Sequence, residues 1–169
     1  MKSIREIYKI GYGPSSSHTM APQKAALMFR EKNSEASSFR VTLYGSLAAT
    51  GKGHLTDLAI INTLSPTPIE IVWKPETVLD YHTNGMKFEA ITGDKVSNEW
   101  IVYSIGGGDL SEGAAAELGE PIYTHTTMHD ILSWCHRTGK TFWEYVEDTE
   151  GNEIFDYLDI VWTTMQEAI

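Results

Sequence analysis

The sequence predicts an α+β fold: a mixed or antiparallel sheet of about four strands with helices packed on one face, followed by a C-terminal helical segment. Residues 39–45 and 86–91 alternate apolar and polar side chains, as half-buried strands do. Residues 100–105 are apolar enough for a well-buried strand. From Met128 onward, apolar residues recur with helical spacing, which adds helices after the strands.

Two helices are expected before the first strand. Residues 3–10 should form a short helix that ends at Gly11. Thr19 is the expected N-cap of the next helix, because this choice places Pro22 in the first turn, where a missing N–H does no harm. The first strand then follows at residues 39–45.

The middle of the chain is expected to hold one helix, one short strand and a β-hairpin. The helix covers residues 57–64, with Thr56 as its N-cap. Residues 69–73 form the short strand, and a turn joins the strands at 86–91 and 100–105. Three apolar residues should turn the helix toward the core: Leu58, Ile61 and Leu64.

The last part of the chain is expected to be helical throughout. Residues 128–138 form a helix that ends at Gly139, a residue type favoured just after a helix. Residues 141–147 and 153–169 form two more helices.

Composition and charge narrow the possible functions. The 169 residues suit one domain with a helical tail, and 41% of them are hydrophobic, which is enough for a packed core. A net charge of −10 argues against non-specific binding to nucleic acid or to an anionic membrane, because both need a basic surface. No apolar run approaches the roughly 20 residues that span a bilayer, so we expect a cytoplasmic protein.

The sequence offers little for a metal site. Cys135 is the only cysteine, which excludes an intramolecular disulfide and any iron–sulfur cluster held by this chain alone. It lies in an apolar helical stretch, where a buried, inert thiol is expected. His125 and His129 are four residues apart, but no third ligand lies near them in the sequence. We therefore expect no metal or cofactor to be bound by this chain.

The strongest candidate site is the loop that leads into the second helix. Unpaired N–H groups at a helix start attract anions, so such a loop suits the carboxylate or phosphate of a small ligand. It is not a Walker loop, because the Gly-Lys-Ser/Thr ending is missing. An ordinary serine-rich capping loop is the alternative. The loop brings hydroxyls and an imidazole together: Ser15, Ser16, Ser17, His18 and Thr19.

Two further loops carry imidazoles. A second glycine loop presents His54 and Thr56 at the start of a helix. His82 and Asn84 lie two residues apart, so in an extended segment both side chains point the same way and could hold a carboxylate or hydroxyl. For this last pair, a simple Asn-Gly turn is the alternative.

The fourth candidate is a run of three glycines after a buried strand. Ser104 lies in the strand, and Gly106 begins the run. Consecutive glycines are typical of a place where the backbone closely approaches a ligand or another chain. A flexible hinge is the alternative.

Taken together, these segments resemble the N-terminal, or beta, domain of bacterial iron–sulfur-dependent L-serine dehydratases. The resemblance covers essentially the whole chain, and its most specific motif is Gly-Pro-Ser-Ser-Ser-His-Thr at residues 13–19. The other matching residues are Ile10, Gly11, Pro22, 45–48, 50–54, Thr56, Asp57, His82, 84–86 and 103–108.

The resemblance implies a part of an enzyme that converts L-serine to pyruvate and ammonia. In that family a catalytic domain holds a [4Fe–4S] cluster through cysteines, and the beta domain packs against it and helps to bind, position or sense L-serine. The implied fold is similar to the allosteric substrate-binding domain of some phosphoglycerate dehydrogenases. Residues 1–124 would be the beta domain, and residues 125–169 a helical segment leading toward a catalytic domain absent from this chain.

The chain departs from the complete enzyme in its single cysteine, so we expect it to be inactive alone and to carry no catalytic residue of its own. The expected partners are L-serine, the iron–sulfur catalytic domain, in the same longer chain or in a separate subunit, and further copies of the chain. The stretch from Leu64 to Tyr81 is shorter than is usual in the family. An independent sensor of a small amino acid and a dimerisation module are the alternative functions.

The residues expected to contact substrate or effector are Ser15, Ser16, Ser17, His18, Thr19, His54, Thr56, His82, Asn84, Ser104 and Gly106.

Overall fold

A computed structural model describes residues 1–113 and 121–169. The chain divides into two compact units, one formed by Gly11–Ala116 and the other by Met1–Ile10 together with Glu117–Ile169. The α+β prediction is confirmed. The functional division into residues 1–124 and 125–169 stays a prediction.

In the described residues, five strands form one mixed sheet in the order β2-β1-β3-β4-β5. The β1–β2 pair is parallel, and the other pairs are antiparallel. The sequence predicted about four strands, and the additional one is the three-residue β5, which is too short for an alternating pattern. The strands are β1 Ser38–Tyr44, β2 Ile69–Lys74, β3 Gly85–Thr92, β4 Lys95–Gly106 and β5 Asp109–Ser111.

The described residues also form seven α-helices, of which α2 follows a single π-helical turn at Ser16–Met20. The helices are α1 Ile4–Ile7, α2 Ala21–Lys32, α3 Gly45–Thr50, α4 Thr56–Leu64, α5 Met128–Thr138, α6 Phe142–Glu150 and α7 Glu153–Glu167. None of these helices is long and apolar enough to cross a membrane.

Helices α2, α3 and α4 contact the sheet, and the core of the unit Gly11–Ala116 lies between them and the strands. Val41 in β1 lies opposite Phe88 in β3, and both are fully buried. Arg40, the residue before Val41, points to the other face of the sheet, where its Nε lies 2.7 Å from the Glu70 carboxylate. Phe39, Val41 and Leu43 enter the core as predicted, because every second side chain of a strand points to the same face. The strand is not half-buried, however, since Thr42 and Tyr44 on the other face are also buried.

The start of α2 differs from the prediction. Ser15 is the N-cap of the π-helical turn that precedes α2, and its hydroxyl accepts a hydrogen bond from the His18 N–H at 3.1 Å. Met20, not Thr19, is the N-cap of α2 itself. The N–H groups of Thr19 and Met20 both donate to the Ser15 carbonyl, which closes the π-helical turn. The Thr19 N–H is thus already used, and Thr19 does not offer the free helix start that the sequence had suggested.

The glycine-rich region after β1 also differs from the prediction. It was expected to be a loop, but residues Gly45–Thr50 form α3. Leu55, not Thr56, precedes α4 as its N-cap. Leu58 was predicted to face the core and is 48% exposed, because the buried positions of α4 are Ile60, Leu64 and Thr56 itself, at spacings of four residues.

The three C-terminal helices have nearly the predicted bounds, and Gly139 ends α5 with a φ of 72°. The N-terminal residues belong to the same compact unit. The Met1 carbonyl accepts hydrogen bonds from the N–H groups of Ile122 and Tyr123, and the Tyr157 hydroxyl donates to the Arg5 carbonyl. No local sequence pattern predicted this long-range pairing.

One carboxylate holds α1 within this unit. Glu150 at the end of α6 accepts hydrogen bonds from the Ser3 hydroxyl at 2.5 Å and the Ile4 N–H at 2.7 Å. The Tyr123 hydroxyl donates a third at 2.5 Å. Burial alone would raise the pKa of the Glu150 carboxyl, but these hydrogen bonds outweigh it and hold the pKa below its ordinary value.

We expect Glu150→Gln to speed hydrogen exchange of the Ile4 amide by roughly 10- to 150-fold near neutral pH, because a bond to a charged acceptor contributes about 1.5–3 kcal/mol. A carboxyl whose pKa is lowered by folding stabilises above its unfolded pKa, and this contribution is lost as the pH falls through its folded pKa. The parent chain should therefore approach the variant in acid. Glu147→Gln on the same helix is the control, and equal exchange in both variants at neutral pH would contradict the prediction.

Candidate functional site

Two of the predicted loops meet directly. The Thr19 hydroxyl donates to the His54 carbonyl oxygen at 2.8 Å, and the Thr56 hydroxyl donates to the His18 carbonyl oxygen at 2.5 Å. The imidazole rings of His18 and His54 have centroids 4.8 Å apart. The structure therefore brings the start of α2 and the start of α4 together around a pair of histidines.

Both ring nitrogens of His18 lie near serine hydroxyls. Its Nδ1 lies 2.9 Å from the Ser17 hydroxyl, and its Nε2 lies 3.4 Å from the Ser46 hydroxyl at the start of α3. Burial first, and then the neighbouring His54 imidazole, lower the pKa of His18 against an opposing hydrogen bond to the Ser46 backbone. The neutral imidazole is thus favoured, and it can both donate and accept a hydrogen bond.

His54 has a defined tautomer when neutral. Its Nδ1 lies 3.0 Å from the carbonyl oxygen of Thr50, which can only accept a hydrogen bond. The proton of neutral His54 is therefore on Nδ1, and the lone pair of Nε2 can accept a proton or a hydrogen bond from a ligand.

A third segment joins through Ser46. The Ser46 N–H lies 3.1 Å from the Thr83 carbonyl oxygen and 3.3 Å from its hydroxyl. Gly45 permits this approach, since a Cβ added there would lie 2.4 Å from the same carbonyl oxygen. The segment that contains His82 and Asn84 is thereby held next to α3.

Asn84 and Ser104 form a buried polar pair. The Ser104 N–H donates to the Asn84 carbonyl oxygen at 3.0 Å, and the Asn84 amide nitrogen lies 3.4 Å from the Ser104 carbonyl oxygen. Asn84 is 9% exposed and Ser104 is fully buried. Among the described residues, neither the Asn84 Oδ1 nor the Ser104 Oγ has a hydrogen-bond partner. Two polar atoms are thus buried without a hydrogen-bond partner, at a cost to folding of about 1–3 kcal/mol each.

The predicted site residues do not all take the expected roles. Ser15 caps the π-helical turn, and Ser16 is exposed. The Nδ1 of His82 accepts a hydrogen bond from the Asn84 N–H at 3.1 Å, so His82 turns back on its own segment and does not project alongside Asn84. Gly106 is the last residue of β4 and lies opposite Asp109 of β5.

Two members of the cluster were missed by sequence reasoning, namely Ser46 and Thr83. Ser46 belongs to a motif that the resemblance included, and its place at the end of a buried strand was a usable signal. Thr83 offered none, because its role depends on the register that brings β3 beside β1. Strand pairing between distant segments is decided by tertiary packing and cannot be obtained from local pattern.

The sequence analysis considered metal binding at His125, His129 and Cys135, which lie in the unit formed by Met1–Ile10 and Glu117–Ile169. In residues 1–113 and 121–169, no group of three or more His, Cys, Asp or Glu side chains is arranged to hold a metal ion. Cys135 is a free thiol and is partly exposed, so the prediction that it is buried was wrong. One cysteine does not fit the ligand set of a four-iron cluster.

Comparison with known proteins decides the family. The family model of the serine dehydratase beta chain matches residues 3–70, which include both histidine loops. Residues 3–70 belong to the serine dehydratase beta-chain family. The resemblance drawn from the sequence motifs is thereby confirmed.

The similar proteins are longer than this chain. L-serine dehydratase 1 of Escherichia coli is 31% identical over the whole chain, which covers 48% of that protein. L-serine dehydratase of Haemophilus influenzae is 29% identical over the whole chain and 49% of its own length. L-serine dehydratase of Mycobacterium bovis is 33% identical over 80% of the chain and 39% of its own length. The chain thus spans about half the length of the curated relatives it matches.

The relatives also differ from this chain within the matched region. The match to the Escherichia coli protein extends over 221 aligned positions, whereas this chain has 169 residues. The relatives therefore hold residues in this region that the chain lacks. This agrees with the shortened stretch inferred from the sequence, although the location of the difference stays a prediction.

Proposed function

We propose that the chain is the serine-binding part of an L-serine dehydratase, which converts L-serine to pyruvate and ammonia, and that it works with a catalytic domain outside this sequence. The family match and the names of the relatives support this proposal. A [4Fe–4S] cluster, held by cysteines, belongs to that catalytic domain in the proposal, since this chain has a single cysteine. Activity would therefore require both parts, in the cytoplasm and in an assembly that contains further copies of the chain.

One observation carries the assignment of the binding site: the buried, unpartnered Oδ1 of Asn84 and Oγ of Ser104. A polar atom buried without a partner destabilises the fold, so it is typical of a site that a ligand completes. L-serine carries an ammonium group with three N–H donors, which suits the Asn84 acceptor. The hydroxyl of Ser104 can donate to the carboxylate of the same ligand.

The histidine pair adds groups of a different kind. The Nε2 of His54 accepts a hydrogen bond, and neutral His18 can either donate or accept one. β4, which carries Ser104, contacts the turn Ser16–Met20, which carries His18. The hydrogen-bond acceptors and donors proposed to bind one small zwitterionic ligand therefore all lie in a single compact unit, Gly11–Ala116. This favours binding of L-serine by the chain itself, as the sensor alternative also requires.

We expect Ser104→Ala to weaken L-serine binding by roughly 10- to 150-fold while leaving stability unchanged or raising it. The binding loss follows from removing a hydrogen bond to a charged group. The stability result follows because the variant removes a buried hydroxyl that has no partner in the folded chain. Calorimetric titration with L-serine and thermal unfolding without ligand measure the two effects.

Ser97→Ala is the matched control, because Ser97 lies in the same strand and its hydroxyl donates to the Ala90 carbonyl. It should leave L-serine affinity unchanged. L-Alanine, which lacks the hydroxyl, serves as the second control ligand. If the unaltered chain binds no L-serine, either alone or with a cysteine-rich catalytic partner, the proposed function is wrong. Turnover by the chain alone would separately contradict its dependence on that partner.

A further inference from the structure

The two threonines of the cluster were expected to contact substrate, but their hydroxyls are already engaged. A threonine hydroxyl has one hydrogen, and Thr19 and Thr56 each give theirs to a backbone carbonyl of the other loop. Thr56 is fully buried and Thr19 is 5% exposed. Neither side chain is therefore available to donate a hydrogen bond to a ligand.

The two bonds cross. Thr19 follows His18 and bonds to the carbonyl of His54, whereas Thr56 comes two residues after His54 and bonds to the carbonyl of His18. The carbonyl of each histidine thus accepts a hydrogen bond from the threonine that lies close in sequence to the other histidine. We call this pair of bonds the threonine clamp.

From this arrangement we infer that Thr19 and Thr56 are positioning residues, which set the distance between the His18 and His54 imidazoles through the threonine clamp. The inference rests on the proposed function in one respect, which is that the two histidines are taken to be part of the ligand-binding site.

Side-chain bonds fix the orientation of each ring, and they link both rings to α3, His18 through Ser46 and His54 through Thr50. His54 is held by the Thr50 carbonyl four residues before it, and His18 by the neighbouring Ser17 hydroxyl. The clamp bonds instead join residues 35 and 38 positions apart in sequence. They therefore add a direct link between the two histidine backbones to the side-chain bonds that both rings make with α3.

The backbone between His54 and Thr56 supports the same role. Leu55 has a φ of 57° and is the one non-glycine residue with positive φ in the part of the chain that the structure describes. A leucine in this left-handed region costs free energy, and such a conformation persists only when surrounding contacts enforce it. The clamp bonds at His54 and Thr56 hold the residues on both sides of Leu55, and they act together with the backbone bonds from His54 and Thr56 to the Gly51 carbonyl.

The separation matters because two imidazoles at 4.8 Å influence each other's charge. Among the titratable side chains of the described residues, His54 is the one whose charge acts on His18, and the Ser17 and Ser46 hydroxyls beside it are neutral. A fixed short separation disfavours protonation of both rings together. The clamp thereby keeps an uncharged imidazole at the site near neutral pH.

The test uses isosteric removal of each hydroxyl in the 169-residue chain. Thr56→Val and Thr19→Val should each weaken or abolish the nuclear Overhauser contact between the His18 and His54 ring protons. They should also raise the pKa of His18 toward its ordinary value. Thr56→Ser keeps the hydroxyl and should restore both readouts. Thr63→Val on the same helix is the control, because the Thr63 hydroxyl donates only within α4, to the Ala59 carbonyl.

A second measurement needs no variant. In the unaltered chain the hydroxyl protons of Thr19 and Thr56 should exchange slowly with solvent and give observable resonances. Fast exchange of both protons would contradict the clamp even if the valine variants failed to fold. Unchanged His18–His54 contact and His18 pKa in folded valine variants would overturn the inference as well.

These readouts separate the clamp from the proposed function. If the clamp is present and Thr56→Val also weakens L-serine binding, through displacement of the histidines and not through a lost ligand contact, both ideas stand. A chain that binds no L-serine but shows the coupled histidines retains the clamp and loses the proposed function. A chain that binds L-serine but shows no coupling between the two histidines retains the proposed function and loses the clamp.

Discussion

Phe29→Ala is expected to lower the unfolding free energy of the unit Gly11–Ala116 by about 3–5 kcal/mol, the usual range for removing a buried phenylalanine ring. Phe29 is 2% exposed and joins α2 to the sheet through three aromatic neighbours. Its ring centroid lies 5.9 Å from that of Phe39, 5.5 Å from Phe88 and 6.3 Å from Trp100. The variant would leave a cavity at the centre of the helix–sheet contact, where rigid strands limit collapse.

Native-state hydrogen exchange of the β1 and β3 amides measures the unfolding free energy of the unit Gly11–Ala116 separately from that of the other unit. Leu27→Ala is the matched control, because Leu27 lies on the same helix and is 39% exposed. It should cost less than about 1 kcal/mol. If both variants destabilise β1 and β3 equally, α2 does not pack on the sheet through Phe29.

Gly45→Ala is expected to destabilise the same unit by about 2–4 kcal/mol, from two additive causes. The first is the left-handed backbone, since Gly45 has a φ of 49°. The second is steric, because the new Cβ would lie 2.4 Å from the Thr83 carbonyl oxygen. That oxygen belongs to the segment that holds Ser46 in the candidate site, so L-serine binding should weaken too.

Gly93→Ala separates the two causes. Gly93 has a similar φ of 62°, but a Cβ added there would meet no atom within 4 Å. We therefore expect it to cost only about 1 kcal/mol, from backbone strain alone. Thermal unfolding of both variants gives the comparison. Equal destabilisation would mean that Gly45 is required for its backbone conformation and not for the contact with Thr83.

Much of the local structure follows from local chemistry. The alternation of β1 fixes which side chains enter the core, since successive residues of a strand face opposite sides. Gly139 ends α5 where the sequence indicated, because a left-handed residue closes a helix at little cost in glycine. The strand β5 and the helix α3 escaped prediction, because three and six residues are too few to establish a period.

The candidate site shows the same division. Its motif residues were identifiable from the sequence, because runs of hydroxyls and imidazoles beside glycines are uncommon. Their roles were not. Thr19 looked like a helix cap and a ligand contact, yet its hydroxyl bonds to a carbonyl 35 positions away. A hydroxyl can satisfy a cap, a carbonyl or a ligand equally well, so only the neighbours assembled in space decide among them.

By itself, the sequence determined the α+β class, the family and the set of polar residues from which a site could be built. Only the tertiary structure decided that Asn84 and Ser104 are buried with unpaired atoms, and that Glu150 ties the first residues of the chain to its last helices. The physical reason is common to both cases. Periodicity and turn chemistry act over a few neighbouring residues, whereas burial and hydrogen-bond pairing depend on contacts between segments that are far apart along the chain.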